Sequence, residues 1–153
     1  MISLLRNNDV WSDRLREDRA ILEAQLTEEQ DQAIRHIVER RADGGELEFL
    51  VVYGSVSRGE QRPDSDLDIY YETRDADVDS RQANPDSPSH VFSAAAGALR
   101  ESLESGDAMA FAIVSDALVV YDAGLFRDLC VAVDEGELKP SPVDETAPRA
   151  STS

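Results

Sequence analysis

The chain has 153 residues, of which 32 are acidic and 15 basic, and its formal net charge is −17. This length is typical of one domain with its own hydrophobic core, and the acidic excess argues against a nucleic-acid partner because phosphate backbones repel it. The sequence has no apolar run near the length of about 18 residues that a membrane helix needs and no signal-peptide pattern, so we expect a cytoplasmic protein without a membrane partner.

Two helices are predicted before the first strand, over about residues 9–43. A polar side chain within 7–9 can cap the first helix, whose apolar residues repeat at helical spacing. Thr27 followed by Gln30 has the pattern of a capping box, so a second helix is predicted to start there. The glycine pair 44–45 is expected to end this helix.

A strand, a turn and a second strand are predicted next. Phe49–Tyr53 is an apolar run too short for a helix, and Gly54 interrupts it. A second strand is predicted from about Leu67, because apolar and polar residues alternate there. Side chains two apart on a strand share one face, so Asp66 and Asp68 are expected to point the same way.

The following part of the chain predicts a helix and a hairpin. A serine-proline pair favours a helix from 87 to about 105, with His90 as a structural residue near its start. Alternation over Ala108–Val114 predicts a strand that is covered on both faces. Residues 118–121 are expected to return as its hairpin partner.

A short amphipathic helix over 124–133 and an acidic tail complete the prediction. The tail, 134–153, has the composition of a disordered segment. One domain is therefore predicted over 1–133, with its core over about 45–133. Cys130 lies in an apolar run, so it is interpreted as a buried thiol rather than a nucleophile.

The turn and second strand carry the candidate chemistry. Asp66 and Asp68 are separated by about 7 Å of strand rise, so their carboxylates can lean towards a common point and hold divalent cations through oxygen ligands. Gly54 lacks a Cβ and lets a phosphate approach the backbone, while Ser55 would start a helical turn whose N–H groups face an anion. Arg58 can grip a phosphate in a bidentate manner, although pairing with a neighbouring acid is an alternative.

This stretch resembles the active-site motif of the DNA polymerase beta superfamily of nucleotidyltransferases, which is Gly-Ser, ten residues, then Asp-x-Asp. The run G-S-V-S-R-G-E-Q-R-P-D-S-D-L-D-I is similar to the small prokaryotic members called minimal nucleotidyltransferases. Asp-x-Asp occurs four times in this acidic chain, so the weight rests on Gly54-Ser55 at the right distance and on the strand–turn–strand context. The alternative is an ordinary hairpin with a solvated acidic face.

The resemblance implies an α+β nucleotidyltransferase fold, in which a mixed β-sheet is flanked by helices. It also implies that Asp66 and Asp68 bind two Mg²⁺ ions and that the triphosphate of ATP lies against Gly54 and Ser55. An acceptor hydroxyl would attack the α-phosphorus, so that AMP is transferred and pyrophosphate leaves. Many members are antitoxins encoded beside a helical HEPN-type ribonuclease toxin, so the acceptor can be a tyrosine of such a partner. A small molecule is the alternative acceptor, but those enzymes carry an added substrate domain.

The family often supplies a third carboxylate from inside the next strand, and this chain departs from that pattern. The predicted strand Ala108–Val114 contains no acid. Asp107 at its entrance is the expected catalytic substitute, with Asp116 and Glu72 as the alternatives. The alternative function is a binding protein that keeps the fold and neutralises a HEPN-type toxin by contact alone. The missing acid favours this binding function, whereas the intact Gly-Ser and Asp-x-Asp pairs favour the enzyme.

The composition resembles the acid-rich, lysine-poor proteins of haloarchaea. Lys139 is the only lysine, and the other basic residues are arginines. A halophilic protein is therefore expected, because dense surface charge keeps a protein hydrated and molar salt screens its self-repulsion. The alternative is an acidic protein that works at ordinary salt.

Overall fold

A four-stranded mixed sheet with helices on both faces organises the computed structural model, which describes residues 2–42, 46–54, 67–74 and 89–140. This arrangement confirms the predicted α+β fold class. A 3-10 helix, Leu4–Arg6, precedes the elements α1 (Asn8–Gln25), α2 (Glu28–Ala42), β1 (Leu47–Tyr53), β2 (Leu67–Thr73), β3 (Ser89–Ala95), α3 (Ala98–Glu104), α4 (Ala108–Asp116), β4 (Leu118–Asp122) and α5 (Leu125–Asp134).

The strand order is β3-β2-β1-β4, so β1 and β2 form the centre of the sheet. β1 is antiparallel to both β2 and β4, and β2 is parallel to β3. In this register Tyr53 lies opposite Asp68 across the central pair. The C-terminal end of β1 and the N-terminal start of β2 therefore lie side by side at the same end of the sheet.

The N-terminal helices begin at the predicted caps. Asn7 caps α1 by accepting hydrogen bonds from the N–H groups of Asp9 and Val10. Thr27 and Gln30 form the predicted capping box, in which each side chain accepts from the backbone N–H of the other. Both signals are local in sequence, which explains why they could be predicted.

Both faces of the sheet are buried. Phe49 and Val51 of β1 point towards one apolar cluster, which is completed by residues of α1, α3, α4 and α5. Leu50 and Val52 point to the opposite face, where Leu22 of α1 and residues of α2 cover them. The continuous apolar run of β1 is thus the pattern expected of a strand without a solvated face. No helix in the described part of the chain combines the length and apolar character needed to cross a lipid bilayer.

The predicted helix over 87–105 is wrong in its first half. Residues 89–95 form β3, which pairs with β2 over its whole length, and the helix α3 begins only at Ala98. His90 therefore lies in a strand, opposite Asp68, and not near a helix start. Val91 and Phe92 favour strands, and the non-local pairing with β2 outweighs the serine-proline signal for a helix start.

The predicted strand over 108–114 is also wrong, because this segment belongs to α4. Its alanine content favours a helix, and the buried residues Ala110, Ile113 and Val114 follow helical spacing. The alternation of large and small residues was a coincidental pattern of period two. β4 is a strand as predicted, but it pairs with β1 instead of with 108–114.

The predicted disordered tail begins too early. Leu138 is buried, and Glu135 accepts hydrogen bonds of 2.8 Å from the N–H of Ser3 and from Nη2 of Arg6. These contacts join the segment after α5 to the start of the chain, so residues 134–140 are part of the folded unit. Residues 141–153 lie outside the described residues.

We expect Glu135→Gln to lower the melting temperature at neutral pH and to have a smaller effect in acid. Pairing with Arg6 and the hydrogen bond from Ser3 lower the pKa of Glu135 to about 2, from 4.5. A carboxylate whose pKa is lower in the folded than in the unfolded state stabilises the protein at any pH above the unfolded-state pKa. This stabilisation is lost as the pH falls through the folded-state pKa. Melting curves of both proteins should converge between pH 4.5 and about pH 2; a constant difference would contradict this assignment.

Candidate functional site

The described part of the candidate site is the contact between Gly54 and Asp68. Gly54 follows β1 with a φ of 86°, a conformation that favours glycine. A Cβ at this position would lie only 2.5 Å from Oδ2 of Asp68. The carboxylate therefore occupies the space that a side chain would fill, and it lies directly against the backbone at the start of the turn.

Three of the predicted site residues lie outside the described residues, namely Ser55, Arg58 and Asp66. Their roles in holding phosphate and metal stay predictions. Of the predicted set, the structure brings Gly54 and Asp68 together. It places Asp107 on a different element, the start of α4.

Tyr53 is a neighbour of Asp68 that the sequence analysis did not single out. It lies directly opposite Asp68 in the pairing of β1 with β2. Burial raises the pKa of Tyr53 to about 12, and the negative charge of Asp68 contributes in the same direction. The phenol is therefore neutral at physiological pH and keeps its proton as a hydrogen-bond donor. Only the register of the hairpin, which is fixed by the fold, could have revealed this proximity.

Glu72, an alternative for the third carboxylate, lies in the interior of the protein. Its side chain is fully buried and accepts three hydrogen bonds. The hydroxyl of Tyr70 donates over 2.6 Å and the N–H of Leu99 over 2.7 Å to Oε2, while the N–H of Gly97 donates over 2.9 Å to Oε1. Glu72 of β2 therefore forms hydrogen bonds that hold β2 next to the start of α3.

The electrostatic setting of Glu72 reflects opposing effects. Burial raises the pKa of Glu72, and the hydrogen bonds from Tyr70, Leu99 and Gly97 act in the opposite direction, with the effect of burial being larger. Burial and the bond to Glu72 in turn raise the pKa of Tyr70. The tyrosine therefore remains a donor to this buried carboxyl group.

Asp107 has a structural partner of its own. It is the N-cap of α4 and accepts a hydrogen bond of 3.1 Å from the N–H of Met109. The segment 108–114, at whose entrance Asp107 was expected, is helix α4, and the strand beside β2 is β3. The structure thus removes the geometric reason for choosing Asp107, and its catalytic role stays an untested prediction. Asp116, another alternative for the third carboxylate, is the last residue of α4.

Two further observations bear on metal and thiol chemistry. Within residues 2–42, 46–54, 67–74 and 89–140, no group of three or more histidine, cysteine or acidic side chains is arranged to hold a metal ion. A metal site built on Asp68 therefore needs further ligands from outside these described residues. Cys130 is buried as predicted, and burial raises the pKa of its thiol to about 11, which disfavours the reactive thiolate.

Comparison with known proteins gives a domain class for the first part of the chain. The family described as "Nucleotidyltransferase domain" matches residues 16–85, which is less than half of the 153 residues. This range contains α2, β1 and β2, and with them both Gly54 and Asp68. The match supports the general nucleotidyltransferase class.

The other comparisons are more distant. A solved structure of a toxin–antitoxin with AMP-PNP is similar to 80% of this chain and 85% of that chain, with 15% sequence identity and a TM-score of 0.41. A likeness this remote does not carry an activity or a partner over to this chain. A search among curated proteins gave no match.

Proposed function

We propose that this protein is a Mg²⁺-dependent nucleotidyltransferase that moves AMP from ATP onto a hydroxyl group of a partner toxin of the HEPN type. The observation that carries the proposal is the contact between Asp68 and Gly54. Because glycine has no side chain, the carboxylate of Asp68 lies directly against the backbone at this position. The family match over residues 16–85 supports the same class.

In the proposed reaction, the oxygen of the acceptor hydroxyl forms a bond to the α-phosphorus of ATP. The bond from that phosphorus to the pyrophosphate oxygen breaks, pyrophosphate leaves, and the hydroxyl proton passes to a base. Gly54 and Ser55 would hold the phosphates, Arg58 would pair with their charge, and Asp66 and Asp68 would hold Mg²⁺. Bound Mg²⁺ would neutralise the negative charge of the phosphates. A Cβ at position 54 would lie 2.5 Å from Oδ2 of Asp68, so a side chain there would displace this carboxylate.

Mg-ATP is expected to raise the melting temperature of the wild-type protein. A ligand that binds only the folded state stabilises it by about 2.7 kcal/mol at a hundredfold excess over its Kd. The double variant Asp66→Asn with Asp68→Asn should show no such shift, because it lacks the carboxylates that hold the metal. Thermal denaturation with and without Mg-ATP measures the difference.

A matched control for this experiment is Asp128→Asn with Asp134→Asn. Both residues are exposed acids of α5, so the change in net charge is the same while the proposed site is intact. This control should respond to Mg-ATP like the wild type. An equal response of the Asp66 and Asp68 double variant would show that the site is assigned to the wrong residues.

A second candidate function is neutralisation of the toxin by binding alone. Two of the candidates for a third carboxylate, Glu72 and Asp107, have structural hydrogen bonds, and this observation favours a protein without a complete catalytic set. Transfer of label from α-labelled ATP to a HEPN-type toxin that forms a complex with this protein distinguishes the two functions. Labelled toxin supports the enzyme, whereas a stable complex that never becomes labelled supports binding alone.

A further inference from the structure

Tyr53 is the last residue of β1, and its ring lies on one defined face of the sheet. Residues two apart on a strand share a face, so Tyr53 points the same way as Phe49 and Val51. Phe49 and Val51 are buried in the apolar cluster under α1, α3, α4 and α5, and the ring of Tyr53 packs against that cluster. Core packing therefore holds the ring in place at the end of the strand.

The same face carries the carboxylate of the candidate site. Tyr53 and Asp68 are direct partners in the antiparallel pairing of β1 with β2. Such partners project from the same face, with Cβ atoms about 4.5–5.5 Å apart. The carboxylate of Asp68 also lies against Gly54, which directly follows Tyr53 in the chain. The phenol ring and the carboxylate therefore flank the same short piece of backbone.

The hydroxyl of Tyr53 is uncommitted, in contrast to that of Tyr70 on the same face. Tyr70 donates to Oε2 of Glu72 over 2.6 Å, which gives it a structural role. Within the described part of the chain, no residue forms a hydrogen bond with the hydroxyl of Tyr53. Among these residues Oγ of Ser93 is the buried side-chain polar atom that lacks a partner, so the hydroxyl of Tyr53 is not enclosed. A tyrosine with an anchored ring and an accessible hydroxyl can bind a ligand.

We propose that the hydroxyl of Tyr53 donates a hydrogen bond to a phosphate oxygen of the bound nucleoside triphosphate and so positions the phosphates beside Asp68. This inference rests on the proposed nucleotidyltransferase function and adds a residue to its site. Because the ring is already fixed by the core, little conformational freedom is lost when the hydrogen bond forms. The hydroxyl is therefore a preorganised donor.

A neutral donor suits this position better than a cation. A lysine or arginine at position 53 would form an ion pair with Asp68 and would compete with the metal for its carboxylate. A phenol can donate to a phosphate oxygen without neutralising that carboxylate. Burial and the charge of Asp68 raise the pKa of Tyr53 to about 12, so the phenol keeps the proton that it donates. These properties also argue against Tyr53 as the base that accepts the proton of the attacking hydroxyl.

Tyr53→Phe is expected to weaken the binding of Mg-ATP about tenfold, the scale of losing one hydrogen bond to a charged group. Isothermal titration calorimetry of the full chain measures this affinity. The melting temperature without nucleotide should stay that of the wild type, because the hydroxyl has no partner among the described residues. A purely structural role of Tyr53 would instead lower the melting temperature and leave the affinity unchanged.

Tyr121→Phe is the matched control. Tyr121 of β4 packs against the apolar cluster on the opposite face of the sheet, so the same hydroxyl is removed away from the candidate site. This variant should bind Mg-ATP like the wild type. Wild-type affinity in Tyr53→Phe, together with lost binding in the Asp66 and Asp68 double variant, overturns this inference and leaves the proposed function intact. A wild-type protein that does not bind Mg-ATP overturns both.

Phosphorus NMR of the saturated Mg-ATP complexes tests whether the contact is with a phosphate. At saturation the spectrum reports the surroundings of the bound phosphates and not the affinity. Tyr53→Phe should shift at least one of the three phosphate resonances relative to the wild-type complex, and Tyr121→Phe should shift none. Resonances that are identical in the wild-type and Tyr53→Phe complexes would overturn the assignment of this hydroxyl to a phosphate oxygen, even if the affinity is reduced.

Discussion

Gly54→Ala is expected to reduce nucleotidyl transfer by about a hundredfold or more, the scale that a misplacement of about 1 Å at a reaction centre can cause. The new Cβ would lie 2.5 Å from Oδ2 of Asp68, so the carboxylate has to move. The φ of 86° adds a backbone penalty of about 1–2 kcal/mol for a residue with a Cβ. Label transfer from α-labelled ATP and the shift in melting temperature with Mg-ATP measure the two consequences.

Gly97→Ala is the matched control for this experiment. Gly97 has a φ of 98°, and a Cβ at this position would meet nothing within 4 Å. Both variants thus pay a backbone penalty, but only Gly54→Ala displaces Asp68. Gly97→Ala should lose stability and keep its response to Mg-ATP. If the two variants lose transfer and nucleotide response equally, backbone strain and not the carboxylate contact explains the effect.

The part of the fold that could be predicted depends on signals close together in sequence. The Thr27–Gln30 capping box, the apolar run of β1 and the alternation in β2 each act within a few residues, and each lies where it was predicted. The spacing of the motif singled out Gly54 and Asp68 separately, as a phosphate cradle and a metal ligand. Their contact was not predicted, because it depends on the pairing of β1 with β2.

The remainder could not be predicted because it depends on contacts between distant residues. Residues 89–95 form β3 because they pair with β2, and no local sequence pattern in this segment predicts that pairing. In 108–116 two periodicities competed, and burial of Ala110 and Ile113 on one helix face decided between them. The partners of Glu72 are 25 and 27 residues away, so a buried role for this acid was not visible in the sequence.

Glu72→Ala is expected to lower the free energy of unfolding by about 3 kcal/mol, since each buried donor left without an acceptor costs about 1–3 kcal/mol. Three donors lose their partner, namely the hydroxyl of Tyr70 and the N–H groups of Gly97 and Leu99. Removing a buried acid relieves part of this loss, because burial disfavours its charge. Urea denaturation at neutral pH gives the difference. Glu101→Ala, an exposed glutamate of α3, is the control and should change stability little.

Glu72→Gln separates this structural role from a role as the third catalytic carboxylate. The amide keeps the size of the side chain and one acceptor oxygen. Its NH₂ group, however, cannot accept a hydrogen bond as the second carboxylate oxygen does. Stability should therefore fall in the order wild type, Glu72→Gln, Glu72→Ala. Because Glu72 already accepts three hydrogen bonds between β2 and α3, the folded glutamine variant should bind Mg-ATP and transfer label at nearly the wild-type rate. A variant of wild-type stability that transfers label a hundredfold more slowly, the scale of losing a general base, would instead identify Glu72 as the missing third carboxylate.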